Sequence, residues 1–302
     1  MARRSELCAE LSLANAEPLS ATASRIDHWV LIEYRGLWNR DLLEGSVLGE
    51  PLKTHLREQL ARLPRSRLLF IRRPDRRDEP RHALYFGATH EHAAPFHALE
   101  FERHDDLIDL DLVGCIQGGA TAGVPVDHPL LVVCTHGKRD RCCAKFGRPL
   151  YDELRDQAEP DWVWQSTHVG GDRFAGNLVV LPAGLYFGRV EREEVWSLLD
   201  ELLAGRIAMD RYRGRCCYSF PQQAAERDVR EATGLTGVED VRVLDTQRTG
   251  DDSWTVHFEA DGAVHEVEID RELGEATYLT CDATGPVRPP RYVARSRRLA
   301  AS

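Results

Sequence analysis

The sequence predicts an α/β protein of two or three domains. Short apolar, β-branched runs alternate with stretches of helical periodicity up to about residue 235. Beyond that point, polar and apolar residues alternate as they do in antiparallel strands. The length of 302 residues exceeds that of one ordinary domain, and 42% hydrophobic with 29% charged residues is typical of globular proteins.

The first part of the chain, to about residue 125, contains strand-like runs around one helix. The apolar, β-branched run 28–33 predicts a buried strand. Leucines recur at helical spacing between Ser46 and Leu63, and Pro64 ends this predicted helix. Three further apolar runs predict strands at 68–71, 84–86 and 97–101.

The second part repeats this order of elements. The predicted elements are a strand at 128–134, a helix that begins near Cys143 and continues through 151–157, a strand at 162–167, two strands at 177–181 and 185–190, and an amphipathic helix at 191–203. Because the order of strands and helices resembles that of the first part, we expect two related α/β halves.

The region after about residue 235 predicts a small antiparallel β unit. Three alternating segments occur at 241–244, 254–258 and 263–269, and Asp261-Gly262 is a hairpin signal between the last two. The arginines at 288–298 are expected to form a mobile basic tail. The predicted domains are an N-terminal α/β domain at 1–125, a second at 126–235 and a β-rich region at 236–302.

Composition excludes several classes of protein. The net charge of −10 argues against a general nucleic-acid binder, because no pervasive positive field would attract phosphate. No apolar run approaches the roughly 18 residues that span a bilayer. The basic start of the chain has no apolar stretch behind it, so we expect no secretory signal, no membrane association and a cytoplasmic location.

The eight cysteines are expected to be thiols or metal ligands. Two adjacent pairs, Cys142-Cys143 and Cys216-Cys217, would give strained disulfides. We interpret Cys8, Cys115 and Cys281 as small buried apolar residues.

The segment from Cys134 to Asp172 carries the most specific pattern. Cys134 ends a predicted strand, and Cys143 lies near the start of the next helix, where α/β folds place ligands. The helix dipole and neighbouring basic residues favour thiolates there. One helix and one returning strand bring His168 back to the same edge of the sheet. With Asp172 as the fourth point, these residues form a plausible metal site.

These residues resemble the sucrase/ferredoxin-like family. The pattern Cys134-x8-Cys143, then His168-x-Gly-Gly, then Phe174-Ala-Gly-Asn177 carries the resemblance, which covers nearly the whole chain. It implies that the core, at about 126–235, is a thioredoxin-like ferredoxin domain.

In fungal members the resemblance implies a [2Fe–2S] cluster held by two cysteines and two histidines. Cys134, Cys143 and His168 match three of these positions, and Asp172 stands at the fourth, where Cys142 is a possible substitute. The implied role is one-electron transfer or redox sensing, with an unidentified, separate redox partner protein because no nucleotide- or flavin-binding signature is present.

Alternative interpretations of the same residues remain. Cys134, Cys143, His168 and Asp172 could bind one zinc ion. A metal-free thioredoxin-like protein with a structural or interaction role is also possible, although no Cys-x-x-Cys occurs in the chain. No carboxylate pair stands in a recognisable glycosidase motif, so we expect a non-enzymatic carrier and not a sucrose hydrolase.

Overall fold

The computed structural model describes residues 6–92, 95–119 and 121–300 and confirms the α/β class. The α-helices are α1 (Cys8–Ala14), α2 (Glu50–Ala61), α3 (Leu112–Ile116), α4 (Arg141–Gln157), α5 (Val195–Leu203) and α6 (Phe220–Thr233). The strands are β1 (His28–Glu33), β2 (Ser66–Arg72), β3 (His82–Ala88), β4 (Phe96–Phe101), β5 (Val124–Pro125), β6 (Leu130–Cys134), β7 (Val163–Ser166), β8 (Leu178–Leu181), β9 (Leu185–Phe187), β10 (Tyr212–Arg215), β11 (Val241–Arg248), β12 (Ser253–Ala260), β13 (Ala263–Leu273) and β14 (Pro290–Leu299).

The chain forms two compact units built from discontinuous segments. We call them the central unit, Ile26–Val169 with Leu178–Gly184, and the terminal unit, Met1–Arg25 with Gly170–Asn177 and Leu185–Ser302. The predicted ranges 1–125, 126–235 and 236–302 are a different division, and they stay a prediction.

The sheet of the central unit repeats one pairing pattern. Its strand order is β8-β6-β7-β2-β1-β3-β4-β5. β1 pairs parallel with β2 and antiparallel with β3, and β6 pairs parallel with β7 and antiparallel with β8. β2 and β7 join the two halves in an antiparallel pair. Each half therefore has the same arrangement of three strands, as expected for two related α/β halves.

Burial explains why these runs form strands. Every residue of β6 and five of the six residues of β1 are buried, as expected for apolar runs covered on both faces of a sheet. In the first half, Leu52 and Leu56 of α2 pack in one core cluster with Val30 and Ile32 of β1. The helical spacing of the α2 leucines therefore reflects the core-facing side of that helix.

The terminal unit contains a four-stranded antiparallel sheet in the order β11-β12-β13-β14. Val256 and Phe258 of β12 and Val229 of α6 belong to one buried core cluster. The predicted turn at Asp261-Gly262 is confirmed, because β12 and β13 pair directly and both turn residues have positive φ, 50° and 70°.

The expectation of a mobile basic tail is wrong. Residues 290–299 form β14, which pairs with β13 along its length. Arg295 binds the carboxylates of Asp270 and Glu272, each at 3.0 Å, so acidic residues of the neighbouring strand attract the arginines of this segment. Cross-strand pairs of opposite charge stabilise a sheet. The sequence of the arginine-rich segment alone does not reveal these partners.

Among the residues that the structure describes, no helix is long and apolar enough to cross a membrane.

Candidate metal centre

Three elements of the central unit bring together the donor atoms of Cys134, Cys143 and His168. Cys134 ends β6, Cys143 lies in the first turn of α4, and His168 follows β7, which runs parallel to β6 with Cys134 opposite Ser166. One ligand atom from each of the three side chains lies within 4.8 Å of the other two. The structure therefore brings these three side chains together at one edge of the sheet.

Backbone hydrogen bonds fix the loop between the two cysteines. The Thr135 amide donates to the Ser166 carbonyl at 3.1 Å, which ties the start of the loop to the end of β7. The amides of Arg139 and Asp140 both donate to the carbonyl of His136, at 3.0 and 3.2 Å. The Asp140 carboxylate then accepts from the Cys142 amide at 2.8 Å and caps α4.

A glycine allows α4 to pack directly against the end of β6. A Cβ atom at Gly147 would overlap the carbonyl oxygen of Cys134. Gly147 therefore lets the helix that carries Cys143 approach the strand that carries Cys134.

Electrostatics favour a thiolate at Cys134. A hydrogen bond from the Cys143 thiol is the largest influence that holds the pKa of Cys134 well below its usual range; burial acts in the opposite direction. A hydrogen bond and positive charge from His168, and the backbone amide of His136, lower this pKa further. Cys134 and Cys143 are each only 1% exposed, so the thiolate is shielded from water. A deprotonated sulfur is the form that binds metals.

His136 is a buried residue of this loop that the sequence reasoning did not select. It is 2% exposed, and neither ring nitrogen has a hydrogen-bonding partner among the described residues. Its ring stands nearly perpendicular to that of Trp38, with centroids 6.0 Å apart. The spacing Cys134-x-His136 was the signal that could have identified it, because cysteine and histidine at close spacing are typical of metal sites.

The group of three donor atoms does not include the two other predicted site residues, Cys142 and Asp172. Cys142 is fully buried at the start of α4, but its sulfur does not belong to the group of three donor atoms. Asp172 begins a short 3-10 helix, Asp172–Phe174, in the terminal unit, and its carboxylate interacts electrostatically with Arg213. The ligand roles of all five predicted residues stay predictions.

The Gly170-Gly171 and Asn177 positions of the motif surround Arg213. Its guanidinium donates to the Gly170 carbonyl at 3.1 Å and to Asn177 Oδ1 at 2.7 Å, and the Asn177 amide donates to the Gly171 carbonyl at 2.9 Å. Gly171 has φ 81°, and a Cβ there would overlap Arg213 Nη2. The glycine pair and Asn177 therefore shape a turn around a buried arginine, which the sequence reasoning missed.

Burial lowers the pKa of Arg213 to about 9, and the negative charge of Asp172 is among the influences that oppose this shift. Arg189, another residue of the motif region, donates to the Ser12 hydroxyl at 2.8 Å.

The donor set of the central unit suits a metal. Two thiol groups and an imidazole are soft or borderline ligands of the kind that zinc ions and iron–sulfur clusters take. Their close approach and the lowered pKa of Cys134 both favour such a group.

The curated relatives are yeast proteins named "Altered inheritance of mitochondria protein 32". The protein of Debaryomyces hansenii is 34% identical over 99 residues, which cover 30% of this chain and 36% of the relative. That of Meyerozyma guilliermondii is 36% identical over 99 residues, covering 30% and 35%. That of Eremothecium gossypii is 32% identical over 117 residues, covering 33% and 37%. The matches therefore span little more than a third of these relatives.

Among solved structures, a variant of the thioredoxin-like [2Fe-2S] ferredoxin from Aquifex aeolicus matches 29% of this chain and 100% of its own, with 17% identity and a TM-score of 0.26. The family model described as sucrase/ferredoxin-like matches residues 19–214, which include all the predicted site residues. The chain belongs to the sucrase/ferredoxin-like family.

Proposed function

We propose that the central unit holds a [2Fe–2S] cluster through Cys134, Cys143 and His168 and serves as a one-electron carrier or redox sensor. The observation that carries this proposal is the meeting of two buried cysteine sulfurs and one imidazole within 4.8 Å. Such a cluster, when bound, supplies reversible transfer of a single electron.

The chain's own residues support three requirements of this role. The lowered pKa of Cys134 keeps a thiolate ready for binding. Burial of both cysteines excludes water from the sulfur ligands. His168 is half-buried, so this imidazole is the ligand nearest to solvent and the natural side for contact with a partner.

The mixed ligand set predicts the range of the reduction potential. An imidazole is neutral, so replacing a thiolate with histidine reduces the negative charge around the iron and favours the reduced state. Clusters with two histidines lie at roughly −150 to +300 mV, against about −400 mV for plant-type all-cysteine clusters. We expect a potential above that of all-cysteine clusters.

The proposal includes a separate redox protein as partner and a cytoplasmic location. The sequence contains no recognisable nucleotide- or flavin-binding signature that would make the chain its own reductase. The name of the yeast relatives refers to the inheritance of mitochondria, which makes cell fractionation the direct test of location.

Metal and sulfide analysis after anaerobic purification tests the cluster. We expect about two iron atoms and two acid-labile sulfides per chain, visible absorbance, and an EPR signal on reduction. Cys134→Ser should remove them, whereas Cys115→Ser, which changes another buried cysteine of the central unit, should retain them. Wild-type protein without iron and sulfide would refute the proposal.

A mononuclear zinc site is the second candidate, favoured by the same close spacing. Ligand atoms of one tetrahedral zinc ion lie roughly 3.3–3.8 Å apart, given metal–ligand bonds of about 2.0–2.3 Å. Three donor atoms within 4.8 Å fit one such ion. The outcome that selects zinc is a colourless protein with about one zinc, no sulfide and no EPR signal.

A further inference from the structure

Three donors leave the proposed centre one ligand short. Both a [2Fe–2S] cluster and a structural zinc ion are ordinarily held by four protein ligands. The central unit supplies three in one tight group, and the predicted fourth, Asp172, belongs to the terminal unit, where it interacts with Arg213. The central unit itself offers another candidate.

His136 is buried, and neither of its ring nitrogens makes a hydrogen bond of ordinary geometry to a described residue. A neutral imidazole carries one N–H donor and one acceptor nitrogen, and buried polar groups of this kind are nearly always paired. His136 is 2% exposed with both nitrogens unpaired among the described residues. A buried polar group without a partner destabilises the folded state, and a metal bond to one nitrogen removes part of that cost.

The position of His136 ties it to the ligand loop. It stands two residues after Cys134, and its backbone amide donates to the Cys134 sulfur. Its own carbonyl accepts from the Arg139 and Asp140 amides, which immobilises the backbone that carries the ring. Cys134 and His168 are both near enough to act electrostatically on this ring.

Backbone groups of the neighbouring loop also influence the His136 ring. Backbone interactions with Trp38 and Asn39 raise the pKa of the imidazole, although neither meets the geometry of an ordinary hydrogen bond. Histidines that bind metals through one nitrogen commonly direct the other N–H to a carbonyl, which fixes the tautomer. For His136, the proposed centre would take one nitrogen, and a backbone carbonyl of Trp38 or Asn39 would accept the N–H of the other.

The group of three donor atoms within 4.8 Å does not include the His136 ring. One zinc ion would need all four donors at tetrahedral spacing. A binuclear cluster distributes its ligands over two irons and does not require that spacing of all four. The exclusion of His136 from that group therefore argues against a single ion with all four donors and is compatible with a binuclear cluster.

We propose that His136 is the fourth ligand of the centre, which completes a set of two cysteines and two histidines within the central unit. This assignment rests on the proposed function. It gives Asp172 a different task, as a charged neighbour of Arg213 in the terminal unit.

Pulsed EPR of the reduced protein, grown with ¹⁵N-histidine, counts the imidazole nitrogens bound to the cluster. We expect two in the wild type and one in each of His136→Cys and His168→Cys. Because cysteine also ligates iron, both variants should keep wild-type iron and sulfide, and each should have a lower reduction potential. Asp172→Ala should keep two nitrogens and wild-type iron.

His128→Leu is the matched control, since His128 is a partly buried histidine of the same unit that stacks on Trp162. It should keep both nitrogens. If His136→Cys does not fold, His168→Cys still tests for a second histidine ligand, because its remaining bound nitrogen must come from another histidine, and an unchanged count in His128→Leu excludes His128 as that source.

Two bound nitrogens in His136→Cys, or none in His168→Cys, would overturn the assignment and leave the proposed function intact. Wild-type protein without iron and sulfide would overturn both.

Discussion

At the scale of single residues, some candidate residues can be selected from their spacing in the sequence, whereas others are recognised only from their burial in the structure. Cys134, Cys143 and His168 could be selected from the sequence because thiols and an imidazole recur at the ends of predicted elements. His136 carries a signal in its spacing from Cys134, but only its burial, with 2% of the residue exposed, makes it a candidate. Arg213 could not be selected, since its significance lies in a polar side chain that is 1% exposed. Burial of a polar group depends on the tertiary structure and leaves no periodic signal in the sequence.

Gly171 is the motif residue whose replacement tests the packing of Arg213. Gly171→Ala should lower the free energy of unfolding by about 2–4 kcal/mol, because Arg213 is held by Gly170 and Asn177 and cannot move aside. Gly262→Ala is the control, since Gly262 also has positive φ but no atom lies where its Cβ would be. Urea unfolding of both variants measures the difference, and equal losses would contradict the packing account.

His82 makes the stability of the central unit dependent on pH. Burial is the largest influence that lowers the pKa of His82 to about 4, with the charge of His104 next. The unfolded histidine titrates near 6.5. The folded state therefore favours the neutral ring, and its contribution is complete above about pH 6.5 and is lost as the pH falls towards 4.

His82→Phe should weaken this pH dependence, because a phenylalanine at this position would keep the stacking on Phe101 without a titrating group. The free energy of unfolding at pH 7 and at pH 4.5 measures the effect. An unchanged slope between the two pH values would show that His82 does not contribute.

At the scale of elements, the sequence predicts strands and helices well where apolar periodicity is strong. The run 28–33 is β1 in full, and the predicted helix near Cys143 is α4. The prediction for the basic segment at 288–298 was wrong because β14 is stabilised by its pairing with β13. The local sequence of one segment does not show which strand it will pair with.

Gly147 sets the distance between α4 and β6. Gly147→Ala should lower the free energy of unfolding by about 3 kcal/mol or more and reduce the bound metal, because the added methyl group displaces the helix from the Cys134 carbonyl. Lys145→Ala, a change on the same helix at a less buried position, is the control and should stay within about 0.5 kcal/mol. Wild-type metal content and stability in Gly147→Ala would contradict this role.

The aromatic packing of β14 should contribute more to the free energy of unfolding than its ion pairs do. Tyr292 contacts the rings of Phe220 and Trp254, whereas the Arg295 pairs are partly exposed. We expect Tyr292→Ala to cost about 2–3 kcal/mol and Arg295→Ala at most about 1 kcal/mol. Thermal unfolding compares the two, and a larger loss from Arg295→Ala would reverse this order.

At the scale of the whole molecule, the predicted domain ranges stay a prediction, and the compact units of the structure divide the chain differently. The predicted domains are consecutive ranges, but the compact units exchange segments at 170–177 and 178–184. Discontinuous units arise from long-range contacts, which local periodicity does not encode. The repeated strand pairing of β1–β3 and β6–β8 was predictable, because each half carries its own order of elements.

The central claim is that two cysteines and a histidine of the central unit bind a redox-active cluster. The most direct measurement is the iron and acid-labile sulfide content of anaerobically purified wild-type protein beside Cys134→Ser. The account predicts about two of each per chain in the wild type and neither in the variant. Equal contents in the two proteins, or a wild type that holds only zinc or no metal, would contradict it.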